Sequence, residues 1–320
     1  MSRQRRVSPR ASVTRLDWQT SRLPAQAKGV LIVCTGVLVL SPDALLIRLM
    51  TVDEGTLLLL RGTFSLVGYL ILLQILAGRS KHLAGYIWRP DEWALSRPEL
   101  AIGCLMSLAN ICFVTSIVHA KAALALVIIA SAPAFTTVLS RVFGGGAVAA
   151  RTWIASWLVF AGVAAIFVTE PQGGDLIGAL AAVGASVILA TTLVVRGARP
   201  VRMLRSLALA ALLTALVAIP FADPWSVSGS DLALAALAGL IVLPVSMELI
   251  WRGPRYISAP EVSLFLLLEA ILGPALIWLA LGEAPTLQAV LAGALILGTL
   301  AAHSVLAQRA LRASQPTGNP

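Results

Sequence analysis

Long apolar runs alternate with short polar joints along almost the whole chain after Lys28. The runs are 29 to 48, 56 to 76, 99 to 119, 122 to 143, 152 to 169, 175 to 195, 202 to 221, 232 to 251, 260 to 281 and 286 to 306. Most have the roughly 20 residues that a helix rising 1.5 Å per residue needs to cross about 30 Å of hydrocarbon. The pattern predicts an all-α membrane protein with ten transmembrane helices, and an even number of crossings leaves both termini on one side. It does not separate the side chains that face a cavity from those that face lipid.

Composition agrees with the pattern. Hydrophobic residues make up 58% of the chain and charged residues only 12%, with a mean hydropathy of +0.89. A soluble domain carries about 25% charged residues, so a soluble surface cannot be built from this sequence.

The basic residues orient the helices, because Lys and Arg stay in short cytoplasmic loops. With the N-terminus inside, every one of the 24 Lys and Arg residues falls in the tails or even-numbered joints except Arg48, Arg61 and Lys121. Adding or removing one helix would move every later joint to the other side and destroy this segregation. The net charge of +9 and pI near 10.5 therefore follow membrane topology rather than a nucleic-acid-binding face, and no nucleic-acid partner is expected. The Arg- and Ser-rich start reads as a cytoplasmic tail over residues 1–28 rather than a transit peptide, since no small-residue cleavage site follows the first run. A second cytoplasmic tail spans 309–320. Trp153, Trp251 and Trp278 fall near predicted helix ends, as interfacial anchors do.

Enzyme chemistry finds little support. Cys34, Cys104 and Cys112 lie inside apolar runs without a CxxC pair, and His82, His119 and His303 are scattered. No disulfide framework, metal site or cofactor is expected, and no catalytic residue is assigned. No GxxxxGK[ST] loop is present for nucleotide binding.

The joint Glu170 to Asp175 divides the helices into five and five, giving segments 29–170 and 171–308. An odd number per half makes the second half enter the membrane from the opposite side, the inverted arrangement that sets a binding site at the midplane. An offset of 137 superposes Pro133 on Ala270, Ser156 on Gly293 and Ala161 on Gly298, matching positions of close helix packing. The stretches Ser258-Ala259-Pro260-Glu261-Val262, Leu268-Glu269-Ala270, Gly273-Pro274, Gly282-Glu283 and Gly293 to Gly298 resemble the second EamA repeat of the drug/metabolite transporter superfamily. Gly174-Asp175-Leu176 is similar to the start of that repeat, and Arg61, Ala132-Pro133 and Gly162 to positions of the first repeat. The first repeat departs from the pattern at Gly144, Gly145 and Gly146, where an acidic residue usually closes the fourth helix. The resemblance implies two inverted five-helix repeats in a bacterial inner-membrane transporter, often an exporter, with a central cavity.

Few residues are placed to carry transport. An ionisable group at the bilayer centre costs about 2.5 to 3.5 kcal/mol on insertion scales, so it should face a cavity or a partner. Glu269, nine residues into the ninth run, falls near the midplane; it reads as a proton- or cation-binding carboxylate or as a protonated structural residue. Asp43 and Arg61 share a depth near the outer side, which predicts an ion pair serving as a gate or a structural tie. Asn110, mid-run, can hydrogen-bond a solute or another helix. Pro42, Pro133, Pro244 and Pro274 are candidate hinges, since each removes a helical hydrogen bond. Glu248 and Arg252 have the spacing of an ordinary i,i+4 ion pair, and His119 and Lys121 belong to the outer edge. The sequence thus predicts a secondary transporter of a small metabolite, amino acid or drug-like solute, driven by protons or exchange. A membrane-embedded sensor or assembly protein is the alternative, and a membrane enzyme a more distant one. The partners expected are the bilayer and the solute, with monomer and homodimer both open.

Overall fold

A computed structural model describes residues 25–79, 95–144, 174–198, 201–253 and 268–285, together with Tyr256, Phe265, Leu266 and separate positions within 153–162 and 287–305. Residues 1–24 of the first predicted tail, the whole of the second, the Ser258 to Val262 motif, most of the fifth run and about half of the tenth lie outside these residues, while the last four residues of the first tail already belong to the first helix.

The first apolar run folds as α1 (Ala25–Leu40) and α2 (Asp43–Leu49), separated by a turn at Ser41-Pro42. Pro42 has no N–H for a carbonyl of the preceding turn, so the chain breaks there and Asp43 opens the new helix. The Ser41 hydroxyl caps the break by donating to the Val37 carbonyl at 2.8 Å. The second run is the uninterrupted α3 (Glu54–Arg79) and the third is α4 (Arg97–His119). A capping box starts α4: Ser96 accepts from the Glu99 N–H, and the Glu99 carboxylate accepts from the Ser96 N–H.

The fourth run is again interrupted, as α5 (Ala122–Ile129) and α6 (Ala132–Gly144) flank a turn at Ala130-Ser131. The predicted break at Pro133 is thus shifted by two residues, and Pro133 itself lies in the first turn of α6, where its missing N–H costs nothing. The sixth and seventh runs form α7 (Gly174–Ala198) and α8 (Met203–Ala218). The eighth begins as α9 (Gly229–Ala236), passes through a π turn over Leu237–Val242 and continues as α10 (Leu243–Arg252). Pro244 sits just past the π turn, so this run is wound wider and not broken. The described part of the ninth run is α11 (Glu269–Leu281), preceded by a turn at Leu268 and containing Pro274. Gly282 ends it at φ 72°, a left-handed conformation that costs glycine nothing.

Six of these helical stretches are long and apolar enough to cross a membrane: Ala27–Leu49, Glu54–Leu76, Arg97–His119, Leu176–Val195, Met203–Phe221 and Gly229–Arg252. Among the described residues there is no strand. The outer faces are apolar, with Val67, Leu70, Ile71 and Ile75 exposed on α3 and Leu212 and Leu216 on α8. Polar residues turn inward instead. Asp43, Arg61, Ser107, Ser131, Ser186 and Thr214 are all buried, the inverse of a water-soluble helix bundle. The architecture is that of an all-α, membrane-embedded protein.

Helices approach closely where side chains are small. A Cβ on Gly62 of α3 would lie 2.7 Å from the Ala215 nitrogen of α8, and one on Gly68 would lie 2.6 Å from the Gly239 carbonyl oxygen in the π turn. Hydroxyls bridge helices at Ser107 and Thr214, 3.1 Å apart, and at Ser131 and Ser186, 3.2 Å apart. The packing has a regular pattern of partners: α3 against α8, α4 against both α7 and α8, α1 against α10, α3 against the π turn, α7 against α5 and α6, and α11 against α1, α2 and α5.

Candidate functional site

Ionisable side chains in apolar helices must find compensation inside the bundle, and the interrupted helices provide the place. The break at Pro42 points Asp43 inward at the start of α2, beside Arg61 of α3. The two form a fork: Arg61 Nη1 donates to Asp43 Oδ1 and Nη2 to Asp43 Oδ2, each at 2.6 Å. Both residues are only 2% exposed. The remaining guanidinium edge is used as well, because Nε donates to Asn110 Oδ1 on α4 at 3.0 Å. The Phe113 ring centroid lies 5.8 Å from the guanidinium carbon, within cation–π range. Arg61 is thereby charge-neutralised by α2, and oriented and stacked by α4.

This cluster forms one wall of a cavity of about 200 Å³. Glu269, the first residue of α11, lines the same cavity. It is half-buried, and among the described residues its carboxylate makes no hydrogen bond or ion pair. The rest of the lining is mostly apolar and aromatic, including Tyr69, Met106, Met247 and Trp251, with hydroxyls from Ser65 and Thr214. The Thr214 hydroxyl is satisfied by the Ala210 carbonyl at 2.9 Å. The Ser65 hydroxyl is buried without a hydrogen-bond partner among the described residues.

The four residues singled out as substrate or coupling-ion candidates, Asp43, Arg61, Asn110 and Glu269, therefore surround a single cavity. Of the hinge candidates, Pro42 marks a true break, Pro133 and Pro244 follow an interruption, and Pro274 lies within continuous α11. Trp251 is a correction. Its position near a helix end reads as an interfacial anchor, yet the structure turns it into the cavity, while Trp278 stays 54% exposed. Tyr69, Met106 and Met247 are additions that do not stand out in the sequence, because each is an apolar or aromatic side chain within an apolar run. Met106 and Asn110, four residues apart on α4, share a face and could have been linked through Asn110.

A second set of polar contacts ties one end of the bundle together. Arg48 Nη2 donates to Glu283 at 2.8 and 3.0 Å, joining α2 to the segment after α11. The Thr51 N–H and hydroxyl donate to the Asp231 carboxylate at 2.9 and 3.0 Å, so the loop after α2 is fastened to α9. The Thr56 hydroxyl accepts from the Asp223 N–H at 2.7 Å and donates to Asp53 at 2.6 Å. Burial pushes the Asp53 carboxyl upward, but bonds from the Thr56 hydroxyl and neighbouring N–H groups outweigh it and hold the pKa below its ordinary value. Glu54 accepts from Thr115 and lies 2.9 Å from His119 Nε2. His119, expected only at a solvated edge, is thus half of a pair. Glu248 and Arg252 form the expected i,i+4 pair near the other end of the eighth run. Among the described residues no group of three or more His, Cys, Asp or Glu side chains is arranged to hold a metal ion.

No protein-family model matches the chain, and no curated protein is similar to it. A solved crystal structure, described only as that of a protein, is similar over 89% of this chain and 99% of its own length, with 23% identity and a TM-score of 0.59. What the two chains have in common is their fold.

Proposed function

We propose that the chain is a secondary transporter that moves a small metabolite, amino acid or drug-like solute through its central cavity by alternating access. The observation that carries this reading is the cavity itself. It brings together Asp43 and Glu269, each at a helix interruption, with Arg61 of the continuous α3, and charged groups at interrupted helices are the construction by which transporters hold a solute away from both surfaces.

In this reading ten helices form two inverted five-helix repeats of the EamA type. The pattern of packing partners supports it. Exchanging each run with the one five places along turns the α1–α10 contact into the α7–α4 contact. The same exchange turns α3 against the eighth run into α8 against α4, and leaves α3–α8 and α5–α11 paired with themselves. The offset of 137 that aligns Pro133 with Ala270 also aligns the turn at Ser131 with the turn at Leu268. Such an exchange is expected of two copies related by a two-fold axis and has no reason to arise in an arbitrary bundle.

The segregation of Lys and Arg supports an orientation with both termini in the cytoplasm of a bacterial inner membrane. The tied end of the bundle then faces outward and export starts from the opposite side. Glu269, with no protein partner among the described residues, is the natural site for proton coupling or exchange, and the Asp43–Arg61 fork a fixed wall.

The test is flux in proteoliposomes across a panel of small solutes, with and without an imposed pH gradient. At least one solute should move, and Glu269→Gln should abolish its dependence on the gradient. Absence of flux for every solute in both conditions would count against transport, and a gradient-driven flux untouched by Glu269→Gln would remove the coupling role.

A further inference from the structure

Among the described residues, the charges around the cavity do not cancel. Its titratable lining residues are Asp43 from α2, Arg61 and Tyr69 from α3, and Glu269 from α11. Asp43 and Arg61 neutralise each other through two bonds of 2.6 Å. An incoming anion would have to displace Asp43, because the Arg61 fork is engaged, its Nε is given to Asn110, and its face is stacked by Phe113. Among the described residues, ionised Glu269 is left as one uncompensated negative charge in an apolar chamber.

The other surfaces suit a cation with an apolar body. Tyr69 and Trp251 supply aromatic rings, and Met106 and Met247 polarisable sulfur. The orphan Ser65 hydroxyl can accept a hydrogen bond from an ammonium group. At about 200 Å³ the cavity is smaller than the roughly 300 to 1,000 Å³ of drug-sized sites. It fits a molecule with one ring.

We propose that the cavity selects a small organic cation, a protonated amine whose charge pairs with Glu269 and whose apolar or aromatic body lies against Tyr69, Met247 and Trp251. This rests on the reading of the cavity as the solute site. It excludes simple carboxylates and disfavours zwitterions, whose carboxylate would meet Glu269 without a free cation among the described lining residues to offset it.

The test is equilibrium binding to the purified full-length protein in detergent, by calorimetry, with three probes that share a ring: phenethylammonium, 3-phenylpropionate and phenylalanine. The amine should bind saturably and at least tenfold more tightly than the anion or the zwitterion. Glu269→Gln should weaken the amine at least tenfold and Glu269→Asp should keep most of its affinity, which separates charge from misfolding. Equal or tighter binding of 3-phenylpropionate or phenylalanine overturns the proposal, and so does amine binding unchanged by Glu269→Gln. Because the readout is binding, Glu269-dependent amine binding without any flux would uphold this inference and sink the transport reading. Flux of other solutes without amine binding would do the reverse.

Discussion

Two arginines in this protein meet carboxylates in similar fashion and in opposite surroundings. Arg61 holds Asp43 in the interior, with side chains 3% and 2% exposed, whereas Arg48 holds Glu283 at the tied end, with side chains 24% and 41% exposed. The chemistry is shared but the worth is not. Buried partners have already lost their water, so each depends on the other. The exposed partners can return to solvent, and salt screens what remains of their attraction. The interior fork is consequently a fixed structural element, and the contact at the tied end is one that can open and close.

The largest effect should come from removing one member of the interior fork. Asp43→Ala leaves Arg61 buried with only Asn110 and Phe113, and losing one partner of a buried pair costs about 3 to 5 kcal/mol. Thermal unfolding of the purified protein should show a large drop, and a change below about 1 kcal/mol would erase the contrast between the two pairs. Replacing both partners by apolar residues, Asp43→Leu with Arg61→Met, should cost less than Asp43→Ala alone, because no uncompensated charge remains. A double variant less stable than the single would show that hydrogen-bond geometry, and not charge compensation, dominates.

A smaller effect is expected at the tied end. Glu283→Ala should change stability by about 0 to 1 kcal/mol, and that difference should shrink in high salt. A salt-insensitive loss of several kcal/mol would put this pair in the same class as the interior fork. Smallest of all should be the effect of Glu269→Gln on unfolding, since no bond to a described residue is lost while a half-buried charge is removed. Marked destabilisation would reveal Glu269 as a structural residue and weaken its assignment to the solute.

How much of this was legible beforehand depended on whether a residue stood out from its helix. Asp43, Arg61, Asn110 and Glu269 did, because a polar group in an apolar run is costly unless it faces a cavity or a partner. Shared depth was enough to predict the Asp43–Arg61 pair. Tyr69, Met106 and Met247 did not stand out, since each is an apolar or aromatic side chain in a largely apolar run, and only Met106 has a candidate residue, Asn110, four residues along to mark its face. Trp251 was misplaced for a related reason: an aromatic near a helix end suits the interface and a cavity mouth equally well. The breaks at Ser41-Pro42 and Ala130-Ser131 were legible to within two residues through Pro42 and Pro133, whereas the turn at Leu268 lies six residues from Pro274, which the continuous α11 absorbs. The π turn was not, because Leu237 to Val242 is apolar like its neighbours; the structure places it where Gly239 packs against Phe64, Ser65 and Gly68 of α3.

That π turn means the eighth run holds more residues per coil than its neighbours, a small reserve of slack in an otherwise taut rod. Slack of this kind can be passed along a helix one residue at a time, and each residue it passes is turned by about 100° at 3.6 residues per turn while the rest of the rod keeps its orientation. Downstream lie Met247 and Trp251, both on the cavity wall. A wall that can be rotated by redistributing a single surplus residue needs no melted helix and no lengthened loop to change the shape it offers a guest.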